Sequence, residues 1–307
     1  MPLQPTPTLS GDMLTISRFL QSPAAIQRRL RDYRDLRFVS DQILTQRFRS
    51  SGGAVLYDQS ESQLTDRAVE AVAPGSEYPY ANDPTGTAAL AAIVKWGQKV
   101  RLTDEEIARN ALAGAAVDRK FRKVINSVIK QVDTIAMSAV ASALADTAAI
   151  ATWNNATVAN RKPLEDILLA VQTIEDRNQG YNPDTLVVSP KAYTYLMLND
   201  AIAQLRKRET SDNPVYTGMI ESVAGLNVIK TPNLPNGLNA LVLDSNALGG
   251  MADEVDGAPG YAVADLAVQI KPIRRDETDS WDLQGRRKTV PVVQETGAGQ
   301  EITGVVS

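Results

Sequence analysis

One helical pattern, unbroken from residue 103 to residue 145, constrains this chain more than any other feature. Thr103 and Glu106 have the T-x-x-E spacing of a capping box, a signal that starts helices. Apolar residues then recur at Ile107, Ala111, Ala115, Phe121, Val124, Ile125, Val128, Ile129, Val132, Ile135, Ala136, Ala139, Val140 and Leu144. Steps of three and four residues keep them on one helix face. No proline interrupts the chain between Pro84 and Pro163. A continuous helix of this length runs about 60 Å, twice the width of a small domain. It is too long for the inside of one compact globule. It reads as a strut, and struts belong to coiled coils, bundles and shells.

The rest of the composition narrows the function. A hydrophobic share of 43% supports a real core. No apolar run approaches the ~18 residues of a membrane span, so no membrane contact is expected. The N-terminus, with Pro2, Pro5 and Pro7, lacks the basic-then-apolar order of a secretory leader. These features read as a soluble protein kept in a cytoplasm. The chain has neither cysteine nor histidine. That removes disulfides, thiolate and imidazole metal ligands, and the Ser-His and Cys-His nucleophile pairs. No phosphate loop, G-x-S-x-G elbow or H-E-x-x-H motif occurs, and no cofactor is called for. Asp276, Glu277, Asp279 and Asp282 cluster without the spacing of a calcium loop and read as a solvated turn.

Charge is distributed unevenly. Residues 1–50 carry eight arginines and four aspartates, a net of +4, whereas residues 146–260 carry eight basic and fourteen acidic residues, a net of −6. A basic arm and an acidic body in one chain invite contact between copies. No lysine precedes Lys95, so the arm's positive charge is all arginine, suited to bidentate pairing with carboxylates. Ser22 and Pro23 start a short helix running to about Arg34. Residues 51–102 follow as an extended stretch. Ala54–Tyr57 and Ala68–Val72 have strand composition, Pro74–Gly86 is turn-rich, and residues 95–102 alternate as a strand. As a two-stranded hairpin the stretch reaches roughly 65 Å. A lone hairpin is barely stable in water, so this one is expected to lie on another molecule.

Residues 146–162 read as a loop. Next comes a mixed α/β region with a helix from Pro163 to about Asn178, a strand at 185–188, and a helix from Ser189-Pro190 to about Asn199. One or two helical turns at 200–207, a helix or loop at 215–223, and strands at 226–230 and 240–244 complete it. Residues 261–275 alternate as a long strand, 279–293 return as another, and 294–307 form a Gly-rich tail.

This order of parts resembles the major capsid protein family of tailed bacteriophages, whose fold is shared with encapsulin compartments and the floor of herpesvirus shells. PGSEYPYANDPTG at 74–86, KWGQKVRLTDEEIARN at 95–110 and TLVVSPKAYTYLM at 185–197 fit the family's style. The resemblance implies an α+β capsid fold. Its parts are an N-terminal arm (1–50), an extended β-hairpin loop (51–102) that overlies a neighbour, and a spine helix of the peripheral domain (103–149). An axial α/β domain (150–260) and C-terminal strands returning to the peripheral domain (261–307) complete it. It implies a coat protein, not an enzyme, whose hexamers and pentamers close into an icosahedral shell around double-stranded DNA without reading its sequence. A separate scaffolding protein, a portal and a decoration protein are the implied partners, and the virion, assembled in the host cytoplasm, is the location. The residues assigned to contacts between copies are Arg28, Arg29, Arg31, Arg34, Arg37, Tyr57, Glu77, Tyr78, Tyr80, Trp96, Arg286 and Arg287. Some relatives crosslink their shells through a lysine of the extended loop. Residues 51–94 contain none, so noncovalent contacts are expected. Three other readings stay open: an encapsulin-type shell holding cargo protein, a carboxylate- or lysine-dependent enzyme with a helical oligomerisation strut, and a tail or adaptor protein forming rings or tubes.

Overall fold

The structure, a computed structural model, describes residues 20, 38–82, 85–109, 113–199, 220–235, 237–255, 259–263 and 268–306. The expected helix at 22–34 and the elements at 200–207 and 215–219 lie outside these residues. In chain order the elements are α1 (Ser40–Ile43), β1 (Gln46–Arg49), β2 (Ala54–Gln59), β3 (Thr87–Ala92), β4 (Val94–Thr103), α2 (Asp104–Arg109) and α3 (Ala113–Ala143). There follow β5 (Ala145–Ala148), α4 (Pro163–Glu175), β6 (Thr185–Val188), α5 (Pro190–Met197), β7 (Ser222–Val223), β8 (Leu226–Lys230) and β9 (Ala240–Leu243). Strands β10 (Gly249–Asp253), β11 (Ala262–Val263), β12 (Gln269–Arg275), β13 (Ser280–Val293) and β14 (Gly299–Thr303) close the chain.

The capping box forms as the sequence predicts. Thr103 N–H donates to Glu106 Oε2 and Glu106 N–H donates to Thr103 Oγ1, each at 3.3 Å. The helix it starts is not the single rod expected over 103–145. Glu106 in α2 forms an ion pair with Lys120 in α3. A straight helix would hold these residues about 21 Å apart, so α2 and α3 are not collinear. The long element is α3, with 31 residues and a length of about 46 Å. Its buried stripe runs through Val117, Phe121, Val124, Val128, Val132, Ala136 and Val140.

Two six-stranded sheets share the core. In the first the order is β1-β10-β13-β12-β11, with β4 on the opposite side of β13. The face towards α3 carries Leu102, Trp281, Leu283, Met251 and Val293, all in the main hydrophobic cluster. Val124 comes so close at Gly285 that a Cβ there would sit 2.5 Å from Val124 Cγ1. Only glycine permits this approach of helix to sheet. The second sheet has the order β5-β14-β9-β6-β8-β7. Val187, Leu241 and Leu243 face the main cluster, while Leu186, Val188, Ala240 and Val242 face a second one with Ile167 and Ile174 of α4 and Leu196 of α5. Cover on both faces is why β6 and β9 are apolar without alternation. The sequence reading ends the long helix at 145 and treats 146–162 as loop and 294–307 as tail, yet 145–148 and 299–303 are strands. The structure pairs them as parallel strands β5 and β14.

Candidate assembly interface

The two-stranded sheet β2–β3 forms a short hairpin with residues 60–86 hung from its end. One face of the hairpin is anchored to its own chain. Tyr57, Val55 and Ala91 pack with Phe48, Ala252, Val290 and Val292 on the side of the first sheet away from α3, hereafter the outer face. Tyr57, assigned from sequence to contacts between copies, is half-buried and packs on its own subunit along this face. The other hairpin face presents Leu56 and Leu90, paired across the strands and both largely exposed. The hairpin is shorter than expected. Residues 68–72 form no strand, and residues 94–103 belong to the first sheet.

Beyond the hairpin the loop is held at its root. Ser60 N–H donates to Gln294 O at 2.8 Å, Ser60 Oγ lies 2.7 Å from Thr296 Oγ1, and Gln63 N–H donates to Gln179 Oε1 at 2.8 Å. Past these bonds Leu64, Val69, Tyr78 and Tyr80 lie open to solvent, the tyrosines 79% and 87% exposed, with Glu77 exposed beside them. Glu77, Tyr78 and Tyr80, assigned from sequence to contacts between copies, are thus all exposed.

The outer face of the first sheet is basic. Its registers put Lys95, Lys99 and Arg101 of β4, Arg286 and Lys288 of β13, and Lys271 and Arg275 of β12 on this side. Asp282 sits among them, its side chain 2% exposed, 3.1 Å from Arg101, 3.3 Å from Arg275 and 3.5 Å from Lys99. The hydrogen bond from Arg101, with the positive charges around it, holds the Asp282 carboxyl below the usual aspartate range. One carboxylate faces three cations that are about half exposed, so the patch keeps an excess of positive charge. A trough of about 350 Å³ runs along it, lined by Lys95, Gly97, Gln98, Lys99, Gln284 and Arg286.

Arg286 and Arg287 are both largely shielded inside the subunit. Arg286 is 9% exposed, donates to Gln269 Oε1 at 2.8 Å and stacks on Tyr261 with its guanidinium centre 3.9 Å from the ring. Arg287 is 1% exposed; it forks onto Asp253 with two bonds of 3.0 Å, reaches Asp41 at 3.1 Å and lies 4.3 Å over Phe38. Arg287 is thus a structural cation that ties residues 38–41 to the sheet, and its assignment to a contact between copies is corrected here. Trp96, half-buried, packs on the main cluster. Arg28, Arg29, Arg31, Arg34 and Arg37 lie outside the described residues.

A family model described as phage capsid protein matches residues 86–302, more than two thirds of the chain. The chain belongs to the phage capsid protein family. The fold agrees with this. The capsid structure of cyanophage P-SCSP1u superposes with a TM-score of 0.64 at 14% identity, covering 88% of this chain and 89% of that one. A structure from Mycobacterium phage Che8 gives 0.57 at 11% identity, covering 84% and 86%. The virus-like particle from Pyrococcus furiosus gives 0.58 at 13% identity, covering 90% and 97%. Curated proteins offer no match in sequence.

As a capsid protein, the chain is a structural component of a virion, and its working surfaces are those it shows to other subunits. Among the described residues no cluster of three or more acidic side chains is arranged to hold a metal, and no helix is long and apolar enough to cross a membrane. The sequence reading missed the basic patch. Its signal was there: Lys95, Lys99 and Arg101 share one parity in a run already read as a strand, which puts them on one face. The partners of Arg287, Asp41 and Asp253, could not be found this way, because they lie far away in sequence.

Proposed function

We propose that copies of this chain associate without covalent bonds into a closed icosahedral shell around double-stranded DNA, and that the chain performs no catalytic step. Residues 1–50 act as the arm, 51–102 as the loop that overlies a neighbour, and 103–149 as the spine. Residues 150–260 meet their copies around the symmetry axes, and 261–307 complete the body. The observation that carries this reading is the loop beyond Gln59. It exposes Leu64, Val69, Tyr78 and Tyr80 and is bonded to the body at its root. Apolar side chains held away from the core are favourable only where another molecule covers them. A groove of about 370 Å³ beside α4, with Pro163, Leu164, Leu168 and Leu169 in its wall, offers a second apolar surface for a neighbouring copy. A scaffolding protein, a portal and a decoration protein are the further partners of such a shell, assembled in the host cytoplasm. Purified particles are expected to hold nuclease-protected double-stranded DNA and to run as a single subunit band on a denaturing gel. Particles filled with protein cargo and free of DNA would contradict the DNA assignment, and a ladder of covalent oligomers would contradict the noncovalent one.

A further inference from the structure

Among the described residues, strand β4 leaves one edge of the first sheet open. Asp104 N–H, just past its end, donates to Asp279 O at 2.9 Å, towards the β13 side. Thr103 N–H instead meets Glu106 Oε2, and Arg101 C=O accepts from Lys120 Nζ at 2.6 Å. In an antiparallel ladder each residue points its N–H and C=O the same way, alternating along the strand. The odd-numbered residues of β4 therefore aim their backbone away from β13. Glu106 and Lys120 occupy this edge at residues 101–103. From Lys95 to Lys99 no strand among the described residues pairs with it.

Charge and sequence describe what fits there. Gly97, midway along the open stretch, is held to glycine by its own sheet, where a Cβ would sit 2.6 Å from Gly285 O and 2.9 Å from Arg286 Cβ. Lys95 and Lys99 flank it, and Arg101 and Arg275 extend the positive charge across the outer face. Like charges keep this edge from pairing with the same edge of another copy, a common use of edge lysines. The occupant must then be an extended segment of negative charge. Residues 68–72, Ala-Val-Glu-Ala-Val, have strand composition, yet they are exposed but for Val72, and none of them belongs to a strand. The loop around them carries Asp58, Glu61, Asp66, Glu70 and Glu77 against the single cation Arg67. The arm is the wrong sign for this edge, with a net of +4 over residues 1–50.

We propose that residues 68–72 of one copy add as a strand to the Lys95–Lys99 edge of β4 in a second copy. The inference rests on the shell reading above and names the backbone pairing that joins two of its subunits. Main-chain hydrogen bonds supply affinity in such strand addition, and alternating side chains supply specificity. Run parallel to β4, the added strand sets Glu70, exchanged from its exposed pair with Arg67, beside the lysine side chains, points the N–H groups of Val69 and Ala71 at the edge, and takes Val69 out of water.

Amide exchange read by mass spectrometry, on full-length protein as assembled particles and as unassembled subunits, tests this. Assembly is expected to slow exchange about tenfold or more at the odd-numbered amides of 95–99 and in 69–72. A Val69→Pro variant removes one donor from a segment outside any strand in the subunit. Its subunit is expected to melt like the wild type while its yield of particles falls about tenfold, as loss of one or two such bonds implies. The proposal is overturned if particles form while either segment exchanges at the subunit rate. Protection at 95–99 alone overturns it too, since the edge then belongs to another strand, and so does Val69→Pro assembly at wild-type yield. Failure of the wild type to form particles contradicts the shell reading itself, which separates the two claims.

Discussion

At the scale of single residues, two charged groups inside the first sheet carry most of the argument. Arg287 is almost fully buried between Asp253, Asp41 and the Phe38 ring. Replacing it by methionine keeps the volume but leaves two mostly buried carboxylates with Arg47 alone, 2.8 Å from Asp41 and 3.9 Å from Asp253. The Arg287→Met subunit is expected to lose about 3–5 kcal/mol of stability, measured by urea unfolding of unassembled protein. Asp282 provides a pH signature. Arg101 and the neighbouring cations depress its pKa in the folded chain. Its contribution is therefore present above the ordinary aspartate pKa and is lost as pH falls through the depressed value. Wild-type stability is expected to fall with acidification below about pH 4, and Asp282→Asn should flatten that fall in a pH series of unfolding curves. Asp133 pushes the other way: burial, set against hydrogen bonds from Ser40 and Val39, raises its pKa. Its contribution is fullest below the ordinary value and fades as pH rises through the raised one. An equal response to acid in wild type and Asp282→Asn would rule out this account of the cation cluster.

At the scale of elements, the local signals were the legible ones. The Thr103–Glu106 box, the Ser189 cap that accepts from Ala192 N–H at 3.2 Å, and the apolar runs at 185–188 and 240–243 act within a few residues, and the sequence placed each correctly. The break in the long helix was not legible. Helical spacing continues through it, and only the tertiary ion pair of Glu106 with Lys120 reveals the fold-back. Likewise β5 and β14 looked like loop and tail, because a four- or five-residue strand is defined by its partner more than by its composition. The root of the arm depends on a long-range cap as well. Asp133 of α3 accepts from Val39 N–H at 3.2 Å, Ser40 N–H at 3.1 Å and Ser40 Oγ at 2.7 Å, at the start of α1. Asp133→Ala removes the acceptor from three donors and is expected to cost about 2–4 kcal/mol. Limited proteolysis should then cut near residues 38–44 in the variant and spare the wild type. Equal resistance would show that α1 is held by its apolar contacts alone.

At the scale of the whole molecule, core and surface divide the work. One hydrophobic cluster joins α3 to both sheets, so the body is fixed without help from a neighbour. The exposed loop residues and the Leu56–Leu90 pair do nothing for that body. They make physical sense in contact with further copies, as expected of a member of the phage capsid family. The absence of histidine and cysteine had already turned the sequence reading from a pocket towards an interface, and the order of long elements pointed to a shell. Which side chains stay exposed was less legible, because strand parity and distant ion pairs decide it. Electron microscopy of the purified, unfixed protein in negative stain tests the central claim most directly: the account predicts closed icosahedral shells, and a field of monomers, small soluble oligomers or open tubes would contradict it.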